Sequence, residues 1–184
     1  MWNAPVEYNL CVPFLLLLMP SFAEVYEKHQ HLAYNLCLNY LQNRQDAEEA
    51  MQDIFVKIHA KLPSFEGKSS MQTWVYRIAV NHCLDVLKSR KRRNRFSFIS
   101  VLFGNTEKMP PEPVDFNHPG VMMEDREEME ALFRRIHQLP DNQKTALLLR
   151  YVDELPQREI ADIMQVSEKA VEALLQRAKQ QLRK

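Results

Sequence analysis

From Phe22 onward, apolar residues fall at 22, 25, 26, 32, 33, 36, 37, 40 and 41. This is the three-and-four spacing that lays one buried stripe along a helix. It predicts a first helix over residues 22–42. Asp46 followed three residues later by Glu49 has the form of a capping box, and Ala47, Ala50, Met51, Ile54, Phe55, Ile58 and Leu62 carry a stripe through a second helix over 46–61. After the turn Pro63–Lys68, a Ser69/Ser70 cap opens a third stripe at Met71, Trp74, Val75, Ile78, Ala79, His82 and Val86. Its end runs into a cluster of cations, which suits the negative end of the helix dipole.

Residues 96–126 hold four prolines and two glycines with no sustained period, so they read as a flexible linker. Beyond it, Met129, Leu132, Phe133 and Ile136 form a short amphipathic helix ended by Leu139-Pro140. Asp141 caps another helix, carrying Leu147, Leu148 and Tyr151. Ile160, Ala161, Ile163 and Met164 lie in a further helix. After the turn Gln165-Val166-Ser167, a last helix is lined by Val171, Leu174, Leu175, Ala178 and Leu182. No strand-like alternation occurs, and the predicted class is all-α: two small helical domains joined by a linker. The boundaries are 1–20 for an N-terminal extension, 21–95, 96–126 and 127–184.

Composition narrows the chemistry. The 184 residues are 46% apolar and 26% charged, as expected of folded domains rather than a disordered tail. Glycine occurs only at 67, 104 and 120, which excludes the glycine-rich loops that cradle nucleotides. Cys11, Cys37 and Cys83 have no paired spacing and the histidines no ligand spacing, so no disulfide framework, metal or cofactor is expected. The run Cys11–Met19 is too short for a bilayer that needs about twenty apolar residues. No cation precedes it, so it is not read as a secretory signal either. It reads as an appended segment that packs on a domain or partner, or as an artefact of start-site choice.

The net charge is zero, but the charge is unevenly spread. Lys88-Ser-Arg90-Lys91-Arg92-Arg93-Asn-Arg95 places six cations in eight residues, enough for several phosphate contacts or for a solvated basic linker. The last two helices, with Ser167 as N-cap and Arg177, Lys179, Arg183 and Lys184 near the end, fit a helix-turn-helix whose second helix enters the major groove. A plain helical hairpin has the same pattern. Two cationic helical units on one chain suit DNA touched at two places.

Two blocks, Asp46-Ala-Glu-Glu-Ala-Met-Gln-Asp-Ile-Phe55 and Thr73-Trp-Val-Tyr-Arg-Ile-Ala-Val-Asn81, resemble region 2 of the extracytoplasmic-function (ECF) sigma factors, group 4 of the sigma-70 family. Leu139-Pro140, Leu149–Val152, Glu159-Ile-Ala161 and Arg177-Ala178-Lys179 resemble region 4, in the family's order. The similarity spans residues 21–184. It implies a dissociable, cytoplasmic subunit of bacterial RNA polymerase that acts without covalent chemistry or a small-molecule substrate. Region 2 meets the polymerase clamp and opens the minus-10 element, and region 4 reads the minus-35 element.

By position, Asp46, Glu48, Glu49, Gln52, Asp53 and Val56 are implied for polymerase. Phe65, Lys68, Arg77, Asn81, Lys88, Arg90, Lys91, Arg92 and Arg93 are implied for minus-10 DNA, with the flipped-base pocket beside Asn81. Ser167, Lys169, Glu172, Gln176, Arg177 and Lys179 are implied for minus-35 DNA. Trp74 lies on the apolar stripe, where core packing is its expected work, and Tyr76 offers a ring for base stacking. Ala170, Glu172 and Leu174 depart from the common family pattern, as does Gln165 where glycine is frequent. The stretch Lys169–Lys179 resembles the form found in Bacteroidetes members. The resemblance also implies an anti-sigma factor, usually membrane-tethered. A helical DNA-binding or protein-interaction regulator without initiation activity is the alternative.

Overall fold

The computed structural model describes residues 20–102 and 126–183. The N-terminal apolar run and most of the expected linker therefore lie outside the described residues. Seven helices follow in order: α1 Phe22–Leu41, α2 Arg44–Lys61, α3 Met71–Leu102, α4 Arg126–Gln138, α5 Asp141–Tyr151, α6 Gln157–Met164 and α7 Glu168–Leu182. Among the described residues there is no strand, as the periodicity predicts.

Helices α1, α2, α3 and α7 begin on a side chain that satisfies one of their first amides. Ser21 and Glu24 form a reciprocal capping box at α1. The start of α2 corrects the sequence reading. Its cap is Asn43, whose side chain accepts from the Asp46 amide at 3.1 Å, so Asp46 and Glu49 lie inside the helix. The reason is the preceding turn: Gln42 is left-handed (φ 54°) and ends α1, leaving Asn43 extended in the geometry a cap requires. Asn43→Ala is therefore expected to cost about 1 kcal/mol, read as a lowered thermal midpoint, whereas Glu49→Ala leaves the cap intact. Similarly, α5 is preceded by Pro140 rather than capped by Asp141, which occupies the first helical position. At α3, Ser70 caps as predicted, its hydroxyl accepting from the Thr73 amide at 3.0 Å.

The third helix is longer than its hydrophobic stripe. It runs to Leu102, so the first seven residues of the expected linker are helical backbone. Pro and Gly, the breakers that define that linker, begin only at Gly104, and nothing before them interrupts a helix already propagating.

Helices α1, α2 and α3 pack around Val25, Ala33, Leu36, Ile54, Ile58, Val75 and Ala79. Cys37 and Cys83 are buried in this bundle as thiols, 3.7 Å apart. Helices α4 to α7 pack around Phe133, Leu148, Leu149, Ile160, Val171 and Leu175. The second unit also docks on the first, with α6 against α3.

Candidate functional site

On α2 the apolar stripe turns Ala50, Ile54 and Ile58 inward, which leaves Glu48, Glu49, Gln52, Asp53 and Val56 exposed on the other side. Val56 is 69% exposed, the most of any large apolar side chain among the described residues. Beneath this face, Lys57 Nζ donates to His82 Nδ1 at 2.6 Å, and His82 Nε2 lies 3.7 Å from Asp53 Oδ2. Burial, then the Lys57 charge, hold His82 below its ordinary range, so it bridges α2 and α3 as a neutral ring. Asp46 sits apart from the face: it is half-buried and paired with Arg90 of α3.

The loop before α3 folds back so that Phe65 meets Trp74, with ring centroids 5.1 Å apart. Lys68 pairs with Glu66 in the same loop, and Asn81 is exposed two turns further along the helix. Trp74 is half-buried against the core, as its place on the stripe predicts.

The cation cluster divides according to which side of α3 each residue occupies. Lys88, Arg92 and Arg93 are exposed, Lys88 lying 3.7 Å from Asp85. Arg90 is turned onto Asp46 with its side chain 15% exposed, and Lys91 reaches Asp141 of α5 at 3.2 Å. Arg77 is half-buried and donates to the backbone carbonyl of Asp162 at 2.8 Å. Tyr76 is 4% exposed, and the α5–α6 turn covers it; that corrects the reading of its ring as a free stacking surface.

Helices α6 and α7 meet across Gln165-Val166-Ser167. Gln165 is left-handed (φ 56°), the conformation that explains why glycine suits this turn, at a cost of about 1 kcal/mol for a residue with a Cβ. Ser167 accepts from the Ala170 amide at 3.2 Å and caps α7 as predicted. Val171, Leu175 and Ala178 are buried, so Lys169, Glu172, Gln176, Arg177 and Lys179 come out exposed, as does Ser167 at the cap. Lys179 lies 5.2 Å over the Tyr151 ring.

Sequence reasoning missed two features. One is an apolar groove of about 540 Å³ between α4, α5 and the end of α7, lined by Leu132, Phe133, Ile136, Leu147, Tyr151 and Leu182. The other is the polar contact between the two units, where His137 binds the Asn39 carbonyl at 3.0 Å and Gln143, Lys144 and Thr145 are buried. Burial, and then Lys144, hold the His137 imidazole down to about 4.

This arrangement, a three-helix bundle with an open acidic face and a second unit ending in a helix-turn-helix, has counterparts. Residues 25–93 match the sigma-70 region 2 family and residues 129–182 match sigma-70 region 4. The chain belongs to the ECF sigma factors. It is 32% identical over 158 residues to the RNA polymerase sigma-H factor of Pseudomonas aeruginosa, covering 85% of this chain and 81% of that protein. It is 30% identical over 153 residues to the ECF RNA polymerase sigma-E factor of Escherichia coli K12 (83% and 80%). It is 29% identical over 168 residues to the ECF RNA polymerase sigma factor SigW of Bacillus subtilis (89% and 88%).

In fold, this sigma factor is similar to RpoE of Bartonella quintana, solved with the anti-sigma factor NepR, at a TM-score of 0.62 and 19% identity (88% of this chain, 93% of that one). CnrH, solved with the cytosolic domain of CnrY, gives 0.61 and 19% (88% and 84%). As a sigma factor the chain acts in transcription initiation with RNA polymerase and promoter DNA. Among its described residues no helix is long and apolar enough to cross a membrane.

Proposed function

We propose that this sigma factor docks on core polymerase through Glu48, Glu49, Gln52, Asp53 and Val56, opens the minus-10 element beside Asn81, and reads the minus-35 element with α7. The observation that carries this reading is the division of α2: a sealed apolar side holds the bundle, and the opposite side presents carboxylates around one exposed valine. Such a face suits a basic partner surface that also removes apolar area from water. Within the minus-10 surface, Phe65 and Trp74 supply aromatic cover, Lys68 and Asn81 supply polar edges, and Lys88, Arg92 and Arg93 are positioned for phosphate. Arg77, Arg90 and Lys91 join them only when released from their protein partners.

On α7 the phosphate and base contacts fall to Ser167, Lys169, Gln176, Arg177 and Lys179. Glu172, in the middle of that face, is suited to accept from cytosine N4. That contact, with the Bacteroidetes-like form of the helix, gives the sigma factor its own minus-35 preference. Activity is by binding alone, in the cytoplasm where polymerase and DNA meet. A membrane-tethered anti-sigma factor is the expected regulator, and the open apolar groove of region 4 offers such a protein a helix-sized site.

The test is transcription in vitro with bacterial core polymerase on upstream fragments of the source genome. Start sites sharing two spaced motifs are expected. Asp53→Ala should weaken holoenzyme assembly, whereas Asn81→Ala should leave assembly intact and impair strand opening, read by permanganate footprinting. Neither dependence is expected of a regulator that keeps the fold without initiating.

A further inference from the structure

His82 Nε2 is a buried polar atom without a hydrogen bond, and it stands behind the acidic face of α2. The His82 side chain is 8% exposed, and Asp53 Oδ2, on that face, is 3.7 Å away. This exceeds an ordinary hydrogen bond by about 0.8 Å. The Asp53 side chain is 70% exposed, so in the free chain water competes with the ring for its oxygens.

Lys57 decides which ring nitrogen carries the proton. An ammonium has donors only, so Nδ1, at 2.6 Å from Lys57 Nζ, must accept. Burial, then the Lys57 charge, keep the ring neutral, and its single proton is therefore on Nε2, the nitrogen that faces Asp53. With the proton on Nδ1 instead, Nε2 would turn a lone pair toward a carboxylate. Asp85, the other carboxylate whose charge acts on the ring, lies 3.7 Å from Lys88 Nζ on its own helix.

The consequence rests on the docking role proposed for Asp53. When polymerase covers the face, water leaves the carboxylate. In that drier setting the attraction between the Nε2 proton and Oδ2 strengthens, and the buried donor gains the acceptor it lacks. Oδ2 is then held from behind, and Oδ1 remains for a donor on the polymerase.

We propose that His82 is a positioning residue for polymerase docking: its Nε2 proton, set in place by Lys57, holds Asp53 Oδ2 and orients the carboxylate toward the partner. A side chain oriented in advance loses less rotamer freedom on binding, and the difference appears as affinity. His82 is buried and acts only through Asp53.

The test is a titration of core polymerase with full-chain variants whose fold is checked by circular dichroism. His82→Leu is expected to weaken binding about fivefold. His82→Gln, whose amide nitrogen can take the place of Nε2, should stay within about twofold of the parent. In an Asp53→Ala background His82→Leu should weaken binding no further, since no carboxylate is left to position. A loss that persists in that background, or that His82→Gln fails to restore, would overturn the proposal. So would parental affinity in His82→Leu beside a weakened Asp53→Ala, an outcome that leaves the docking face standing. If Asp53→Ala itself keeps parental affinity, Asp53 is not a docking residue and the proposal falls with that assignment. One measurement needs no variant and decides even if His82→Leu does not fold. Long-range proton–nitrogen correlation spectra of the parent's histidine rings should show His82 protonated at Nε2, and a proton on Nδ1 would overturn the proposal.

Discussion

Ile54→Ala is expected to lower the unfolding free energy of region 2 by about 2–5 kcal/mol, the usual cost of a cavity left by a deleted aliphatic side chain. Ile54 has no exposed surface and stands on the inner side of α2, where Val75 and Ala79 of α3 fill the same core. The helix it anchors also carries the acidic face. Loss of polymerase binding in this variant should therefore track the unfolded fraction and be restored on cooling toward the stability maximum. Val56→Ala, two residues further along and on the exposed side, is the contrasting case. Its stability should stay within about 0.5 kcal/mol of the parent, while polymerase affinity falls at all temperatures. Urea titrations of both variants beside a pull-down on core polymerase separate the two effects. Equal stability losses would show that α2 is not packed as described.

The second large effect concerns the exposed cations of α3. Arg92 and Arg93 are exposed and form no ion pair among the described residues, unlike Arg90 and Lys91. The double variant Arg92→Ala/Arg93→Ala is expected to reduce the slope of log affinity against log salt by about 2, because each lost phosphate contact retains roughly one counterion on DNA. At physiological salt this amounts to a loss on the order of tenfold in affinity for promoter DNA, nearly uniform across sequences. Arg90→Ala should behave differently. Its partner is Asp46, so it should cost stability at the α2–α3 contact and change the salt slope little. Holoenzyme binding to a fork-junction promoter at several salt concentrations measures the slope for both variants.

Those two arginines show how far the linear order of residues reaches. The stretch Lys88–Arg95 identifies a cationic helix end, but which of its members face solvent depends on the azimuth of each residue around α3 and on what stands opposite. Arg90 meets Asp46, and Lys91 meets Asp141, fifty residues away along the chain. No local pattern encodes such pairings. The helix starts show the same limit at short range. Ser70 and Ser167 are legible as caps, because a serine before an apolar stripe has few other uses. The Asp46–Glu49 pattern misleads because the left-handed Gln42 ends α1 early and makes Asn43 the cap. The reach of α3 to Leu102 is hidden for a related reason: its last turns adjoin the prolines and glycines that begin at Gly104, and those breakers dominate the reading of the whole segment.

The sequence by itself determined the all-α class, the order of its helices, the buried stripes of both bundles, the helix-turn-helix and, through two motif blocks in the right order, the ECF sigma family. These follow from spacings of three and four residues and from short motifs, which are properties of neighbours along the chain. Only the tertiary structure decided that region 4 rests on α3, that Tyr76 and Arg77 turn inward to Asp153 and Asp162, that Lys57 of α2 donates to His82 of α3, and that an apolar groove opens between α4, α5 and α7. Each of these is a meeting of side chains from different helices. Its free energy depends on burial and on the partner found there, and neither is fixed until the helices have packed.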